Sequence, residues 1–218
     1  MLLRLKTAAA ESSTYRCGGT IRLKSPLKLC IDKGAVDAQP FVITLPAVQE
    51  EMKSLMAACK EATFGRGSQD VLDPTYRSAL CLERDGFLSS LNLEEHGILS
   101  TIKTLLMPEA ATISAELYKL NVYRSGDFFH SHLDTPRSPS MFGSLVVCLP
   151  QPHNGGQLKV KSPSRSTTAS PTLTEEEVLV EHIFDWGPLS EAQPLAVQWA
   201  AFYSDCPHEI LPVISGQR

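Results

Sequence analysis

Residues 130–137 read HSHLDTPR, which sets two imidazoles and a carboxylate at every second position. The chain has only six histidines, so two of them beside an acid raise the question of a metal ion. In an extended strand, residues two apart point the same way, which would put His130, His132 and Asp134 on one face. Distance then selects among them. At a rise of about 3.3 Å per residue, positions 130 and 134 stand roughly 13 Å apart, while 132 and 134 are only about 6.6 Å apart. Bonds from a transition metal to imidazole nitrogen or carboxylate oxygen span about 2.0–2.2 Å. Adjacent members of the set can therefore share an ion, and the outer pair cannot. His132 belongs to both workable pairs.

An H-x-D pair supplies one neutral nitrogen and one anionic oxygen, and a third donor must come from elsewhere. His208, in YSDCPHEI, is the preferred candidate. It follows a long apolar strand and comes directly after Pro207, at a junction where a side chain can face a cavity. Two histidines and one carboxylate leave coordination positions open for a co-substrate and dioxygen, the donor set of non-haem Fe(II) chemistry. His130 then reads as a neighbour or a surface residue. Arg137, after a proline in a polar loop, reads first as a plain surface arginine, with approach to a substrate carboxylate as the alternative. His153, in PQPHNGG, belongs to a turn, and His96 to the first turn of a helix.

Periodicity shows which helices and strands carry these groups. Residues 17–45 alternate short apolar runs with turn residues and predict an N-terminal extension of short strands. Val48, Met52, Leu55, Met56 and Cys59 recur at helical spacing, with Glu50 and Glu51 in the first turns. That helix should end before the glycine-containing loop at 64–70. A second helix is expected over 93–106, with Ile98, Ile102, Leu105 and Leu106 on one face and Pro108 beyond its end. After Pro108 the pattern turns β: 113–123, 143–150, 156–160, 181–186, 196–205 and 208–214 are short and rich in β-branched or aromatic residues. Helices followed by strands indicate an α+β chain whose second half is a sandwich or barrel. The Ser/Thr/Pro-rich, then acidic, stretch 162–177 reads as a loop insertion between two strands.

Bulk properties narrow the classes. A chain of 218 residues with 43% hydrophobic and 20% charged residues has material for one sizeable core and is not globally disordered. A net charge of −4 gives no electrostatic reason to expect a nucleic-acid partner. No run approaches the roughly 18–20 apolar residues of a membrane span. The start, MLLRLKTAAAESS, is too short in its apolar run for a secretory signal and reads as part of a flexible N-terminus, 1–16. The six cysteines form no CxxC pair and read as reduced core thiols, which fits a cytoplasmic protein.

The segment LYKLNVYRSGDFFHSHLDTPRSPSMFGSLVVCLP, with GGQLKV and then WAAFYSDCPHEILPVISGQR, resembles the 2-oxoglutarate/Fe(II)-dependent oxygenases, specifically the prolyl-4-hydroxylase-like group. The shared order is Y-x-x-G-D-x-F, H-x-D, an apolar strand, a GG-L strand, and a histidine followed ten positions later by a basic residue. The resemblance implies iron ligands at His132, Asp134 and His208, a 2-oxoglutarate salt bridge at Arg218, and a double-stranded β-helix (jelly-roll) core over about 113–218. Helices from the N-terminal half would pack on that core, within a single domain over 17–218. It implies Fe(II) as cofactor, 2-oxoglutarate and O2 as co-substrates, and succinate and carbon dioxide as co-products. Tyr123, just before the ligand stretch, could donate a hydroxyl hydrogen bond to the co-substrate. The substrate would be a small molecule or a protein, with neither nucleic acid nor membrane as partner and the oligomeric state open.

Two other readings compete. Members of the group continue through another strand after the basic position, so a chain ending at Arg218 also fits a catalytically silent jelly-roll binding module. A zinc hydrolase using the same three ligands ranks below both, because no separate general base is evident near them.

Overall fold

The computed structural model describes residues 15–32, 39–66, 69–162 and 180–218. The expected N-terminal flexibility over 1–16 and the expected 162–177 insertion fall almost wholly outside those residues. The chain is a mixed α+β protein whose described residues form six small antiparallel sheets with helices beside them.

Two sheets position the site. One has the order Arg16–Arg22, Ala196–Tyr203, Gly143–Cys148, with Ala196–Tyr203 at its centre. The other has the order Glu181–Phe184, Leu158–Lys161, His208–Ile210, Phe128–His132, Arg77–Ser78. Phe129, Leu158, Val160, Phe184 and Ile210 from the second sheet share one core cluster with Cys148, Ala200 and Phe202 from the first. The central strand Ala196–Tyr203 is buried along all but its last residue. Its alternation explains why: Ala200 and Phe202 enter that cluster, while Trp199 and Ala201 enter another on the opposite face.

The second face of that strand is covered in part by the helix Ile98–Leu106. Its Ile98, Ile102 and Leu106 recur at four-residue spacing and share a cluster with Cys17, Trp199 and Ala201. The helix starts five residues later than the periodicity predicts. The Asn92 side-chain oxygen accepts hydrogen bonds from the Glu94 and Glu95 N–H groups, 3.0 and 3.2 Å away, and so holds those residues in a turn. His96 lies in this turn, before the helix. The first helix, Gln49–Ala58, agrees with its pattern, and the Val48 N–H donates to Glu51 Oε2 at 3.1 Å. Its Met52 and Leu55 pack with Leu27, Leu29, Ile31, Ile43 and Leu45.

The order of helices then strands is a simplification that the structure corrects. Arg16–Arg22 is no peripheral extension: it pairs along its whole length with Ala196–Tyr203. Strands also fall between the two helices. Arg77–Ser78 pairs with Phe128–Phe129, and Leu80–Glu83 pairs with Lys119–Val122. The loop expected at 64–70 contains a small pairing of Phe64–Arg66 with Gln69–Val71. Within 113–123, only Lys119–Val122 is strand, since residues 114–118 are exposed and have no neighbouring strand. The run 208–214 is two strands, His208–Ile210 and Val213–Gly216, because Pro212 has no N–H to offer a ladder. His153 opens a short strand, His153–Gly155, and is buried rather than in a turn.

Candidate metal centre

His132 and Asp134 owe their placement to an irregularity in the strand Phe128–His132. Along its pairing with His208–Ile210, Phe129 faces Ile210 and His132 faces His208, so two residues on one strand, His130 and Ser131, stand against one on the other, Glu209. That is a β-bulge, and it resets the alternation. Phe129 and His132 come to one face, their rings stacked with centroids 3.5 Å apart and planes 20° apart. His130 and Ser131 are both exposed. The regular alternation that would set His130 beside His132 therefore fails here. The His130 ring lies outside, 4.7 Å from the Phe128 ring and 5.9 Å from that of Tyr76.

His208, opposite His132 in the ladder, completes the group. Ligand atoms of His132, Asp134 and His208 all lie within 4.8 Å of one another. His132 Nε2 is 3.9 Å from Asp134 Oδ1, and His208 Nε2 is 3.6 Å from Asp134 Oδ2. These separations are too long for hydrogen bonds. They are somewhat wider than the roughly 3 Å expected of donors at right angles around an ion with bonds near 2.1 Å.

The rest of each imidazole is committed. His132 Nδ1 is 2.9 Å from the His130 carbonyl, and His208 Nδ1 is 3.1 Å from the Cys206 carbonyl. A carbonyl only accepts, so each Nδ1 carries the hydrogen and each Nε2 presents its lone pair toward Asp134. Burial first, and then the neighbouring His208, pushes the His132 pKa down to about 4. The ring is thus neutral at physiological pH, the form that ligates a metal. Asp134 is fixed from the other sheet, where the Ser144 hydroxyl donates to Asp134 Oδ2.

No protein-family model matches the chain, and no curated protein matches it. Among solved structures, a Pseudomonas putida prolyl-4-hydroxylase is similar at 18% identity, covering 77% of this chain and 76% of that one, with a TM-score of 0.42. The side chains decide more than this distant overall likeness. In its motif order and in this two-histidine, one-carboxylate centre, the chain resembles the 2-oxoglutarate/Fe(II)-dependent oxygenases.

The same cleft that takes in the three donors takes in Arg218 and Tyr123. Their backbones bridge: the Tyr123 N–H donates to the Arg218 carbonyl at 2.7 Å, and the Arg218 N–H returns to the Tyr123 carbonyl at 3.0 Å. The Arg218 guanidinium carbon lies 5.1 Å from the Trp186 ring centroid and 6.0 Å from that of Tyr123. Its Nη1 is buried, with no hydrogen-bond partner among the described residues. A buried guanidinium nitrogen without an oxygen acceptor is costly; the Cys148 thiol lies beside this guanidinium, and a carboxylate-bearing ligand would supply a stronger acceptor. Gly156, at φ +66°, lies against this side chain: a Cβ there would stand 3.0 Å from Arg218 Cδ.

The G-D pair of the Y-x-x-G-D-x-F motif also gains a physical reason. Gly126 takes φ +89°, which lets the chain turn between Lys119–Val122 and Phe128–His132. Asp127 then closes the turn, with Oδ2 accepting from both N and Nε of Arg124 at 2.8 Å and Oδ1 accepting from Ser78 Oγ at 2.6 Å. Three supporting residues carried no signal in the sequence. No motif or spacing in the sequence singles out Ser144, in the apolar strand Gly143–Cys148, or Trp186, or Arg77. Arg77 is in fact buried, with its guanidinium carbon 4.5 Å from the centroid of Phe129, the ring that stacks on His132.

Proposed function

We propose that the chain is an Fe(II)- and 2-oxoglutarate-dependent dioxygenase that hydroxylates an unactivated C–H bond of a small molecule or a protein side chain. In this reading residues 17–218 form one domain, and the two facing sheets are the double-stranded β-helix of that enzyme class with N-terminal helices packed on it. The carrying observation is the meeting of His132, Asp134 and His208 with both Nδ1 hydrogens tied to carbonyls and both Nε2 atoms turned to the carboxylate.

The donor set fits the metal. Two nitrogens from His132 and His208 and one carboxylate from Asp134 would hold Fe(II). When bound, the iron supplies the oxidising chemistry, with 2-oxoglutarate decarboxylated to succinate as the substrate is oxidised. The chain's part is to hold and to exclude. The Phe129 and Phe202 rings, 3.5 and 4.7 Å from His132 and His208, hold the imidazoles in place and cover one side of each against water. Arg218 offers a planar fork to the distal carboxylate, with Trp186 and Tyr123 beside it. The Tyr123 hydroxyl donates to the same molecule.

Anaerobic addition of Fe(II) and 2-oxoglutarate tests the proposal. A weak visible charge-transfer band is expected, together with loss of that band in His132→Ala and His208→Ala. Arg218→Ala should raise the 2-oxoglutarate needed for the band by about tenfold or more while leaving Fe(II) affinity in place. No band in the native protein, with metal binding unchanged in His132→Ala, overturns the assignment.

A further inference from the structure

Three residues beyond Asp134, the loop brings Arg137 to the rim of the cleft. Its guanidinium carbon lies 3.7 Å from the Tyr118 ring centroid, and Nη2 donates to the Tyr118 hydroxyl. Its backbone N–H donates to Met141 Sδ at 3.4 Å. An exposed arginine is here held at both its backbone and its head, giving up rotamer freedom that a merely solvated arginine keeps.

Two of the other cations that line the same cleft are already satisfied. Lys119, next to Tyr118, is paired with Glu83 at 3.3 Å, and Arg77 donates to the Thr63 carbonyl and, at 2.9 Å, to Asn121 Oδ1. Arg137 differs: among the described residues no carboxylate lies within ion-pairing distance of it. Large apolar side chains in contact with water share the cleft with it: Tyr118, which Arg137 covers, and Leu117 and Leu133 in the adjoining sequence are 45%, 46% and 55% exposed, and all three line the cleft. A fixed, unneutralised cation beside an apolar ledge suits an anion joined to an apolar body.

We infer that the substrate carries an anionic group, a carboxylate or a phosphate, and that Arg137, steadied by Tyr118, binds it at the mouth of the cleft. The inference rests on the oxygenase reading for the fate of the substrate and adds its charge class and the residue that selects it.

The test needs neither iron nor turnover. Zn(II)-loaded protein saturated with 2-oxoglutarate is titrated with 3-phenylpropionate and with its neutral amide, following the backbone amide resonances of Tyr118, Leu133 and Arg137. The carboxylate is expected to shift all three saturably and to bind about tenfold more tightly than the amide, a difference that Arg137→Gln abolishes and Arg137→Lys only reduces. Equal binding of acid and amide, or a preference that survives in Arg137→Gln, overturns it. A second pair, acetyl-Phe-Glu-amide against acetyl-Phe-Gln-amide, separates the sources. Tighter binding of the acidic peptide than of the free acid places the anion on a polypeptide, and the reverse places it on a metabolite. Absence of the Fe(II)/2-oxoglutarate band in the native protein removes the oxygenase reading, and the titration repeated without 2-oxoglutarate then tests the anion site by itself.

Discussion

Ser144→Ala isolates how much of the metal affinity comes from outside the three donors. Ser144 sits at Gly143–Cys148, in the sheet opposite the histidines, and its hydroxyl donates to Asp134 Oδ2. Without it the carboxylate can rotate away from the position that faces both Nε2 atoms. A hydrogen bond to a charged group contributes about 1.5–3 kcal/mol when well buried. The Asp134 side chain is 34% exposed, so water replaces part of the lost bond and the lower end applies. About 1.4 kcal/mol corresponds to a tenfold loss of metal affinity, within the range typical of groups that orient metal ligands. The fold should not follow, because the ladder with Ala196–Tyr203 uses the backbone of residue 144, opposite Phe202. Anaerobic competition titration with Fe(II), repeated by electron paramagnetic resonance with Mn(II), gives the affinity, and thermal unfolding of the metal-free protein gives the control. Ser144→Thr keeps the hydroxyl and should recover most of the affinity. If Ser144→Ala binds Fe(II) within twofold of the native protein at an unchanged unfolding midpoint, the hydroxyl does not position the carboxylate.

Two further outcomes test the supports of the site. Burial alone would raise the Asp127 pKa, but hydrogen bonds from Arg124 and Ser78 outweigh it and hold the carboxyl below its ordinary range. A depressed carboxylate contributes stability that is complete above the unfolded-state pKa of about 4 and is lost as the pH falls through the folded value. Denaturant titrations between pH 3 and 7 should show that loss, and Asp127→Asn should flatten the dependence while costing roughly 1–3 kcal/mol at neutral pH. Equal slopes in the two proteins would detach Asp127 from the turn. Gly156→Ala must place a side chain at φ +66°, within 2.9 Å of Val213 Cγ2 and 3.0 Å of Arg218 Cδ. A loss of about 1–2 kcal/mol in stability is expected from the backbone, with weaker 2-oxoglutarate binding and intact Fe(II) binding as the mark of a displaced arginine. Equal effects on both ligands would point to general unfolding of the site instead.

The legible parts of the fold are those that period and punctuation control. The helix from Gln49 follows its apolar spacing, and the second half of the chain is largely strand because its runs are short, β-branched and divided by turn residues. Long-range partnership was not legible. Arg16–Arg22 gives no local hint that it lies against Ala196–Tyr203, some 180 residues away, and a strand of two residues such as Arg77–Ser78 is too short for any alternation to show. Local competition defeated periodicity once, where Asn92 holds the residues before Ile98 in a turn that an apolar pattern does not register.

At the site, the three donors that meet were reachable through a premise about geometry that the strand does not obey. Strict alternation put His130, His132 and Asp134 on one face and left distance to choose among them. The bulge between Phe129 and His132 makes the choice instead, by turning His130 outward and His132 inward onto the Phe129 ring. The three side chains then meet because His132 lies opposite His208 in the ladder, and because Ser144 reaches Asp134 from the facing sheet. A bulge is a property of two strands together, so neither HSHLDTPR nor CPHEI alone could have announced it. The bulge also explains a residue outside H-x-D and the distant histidine. Phe129, three residues before the first ligand, is what the bulge brings beneath His132 and what the Arg77 guanidinium packs against.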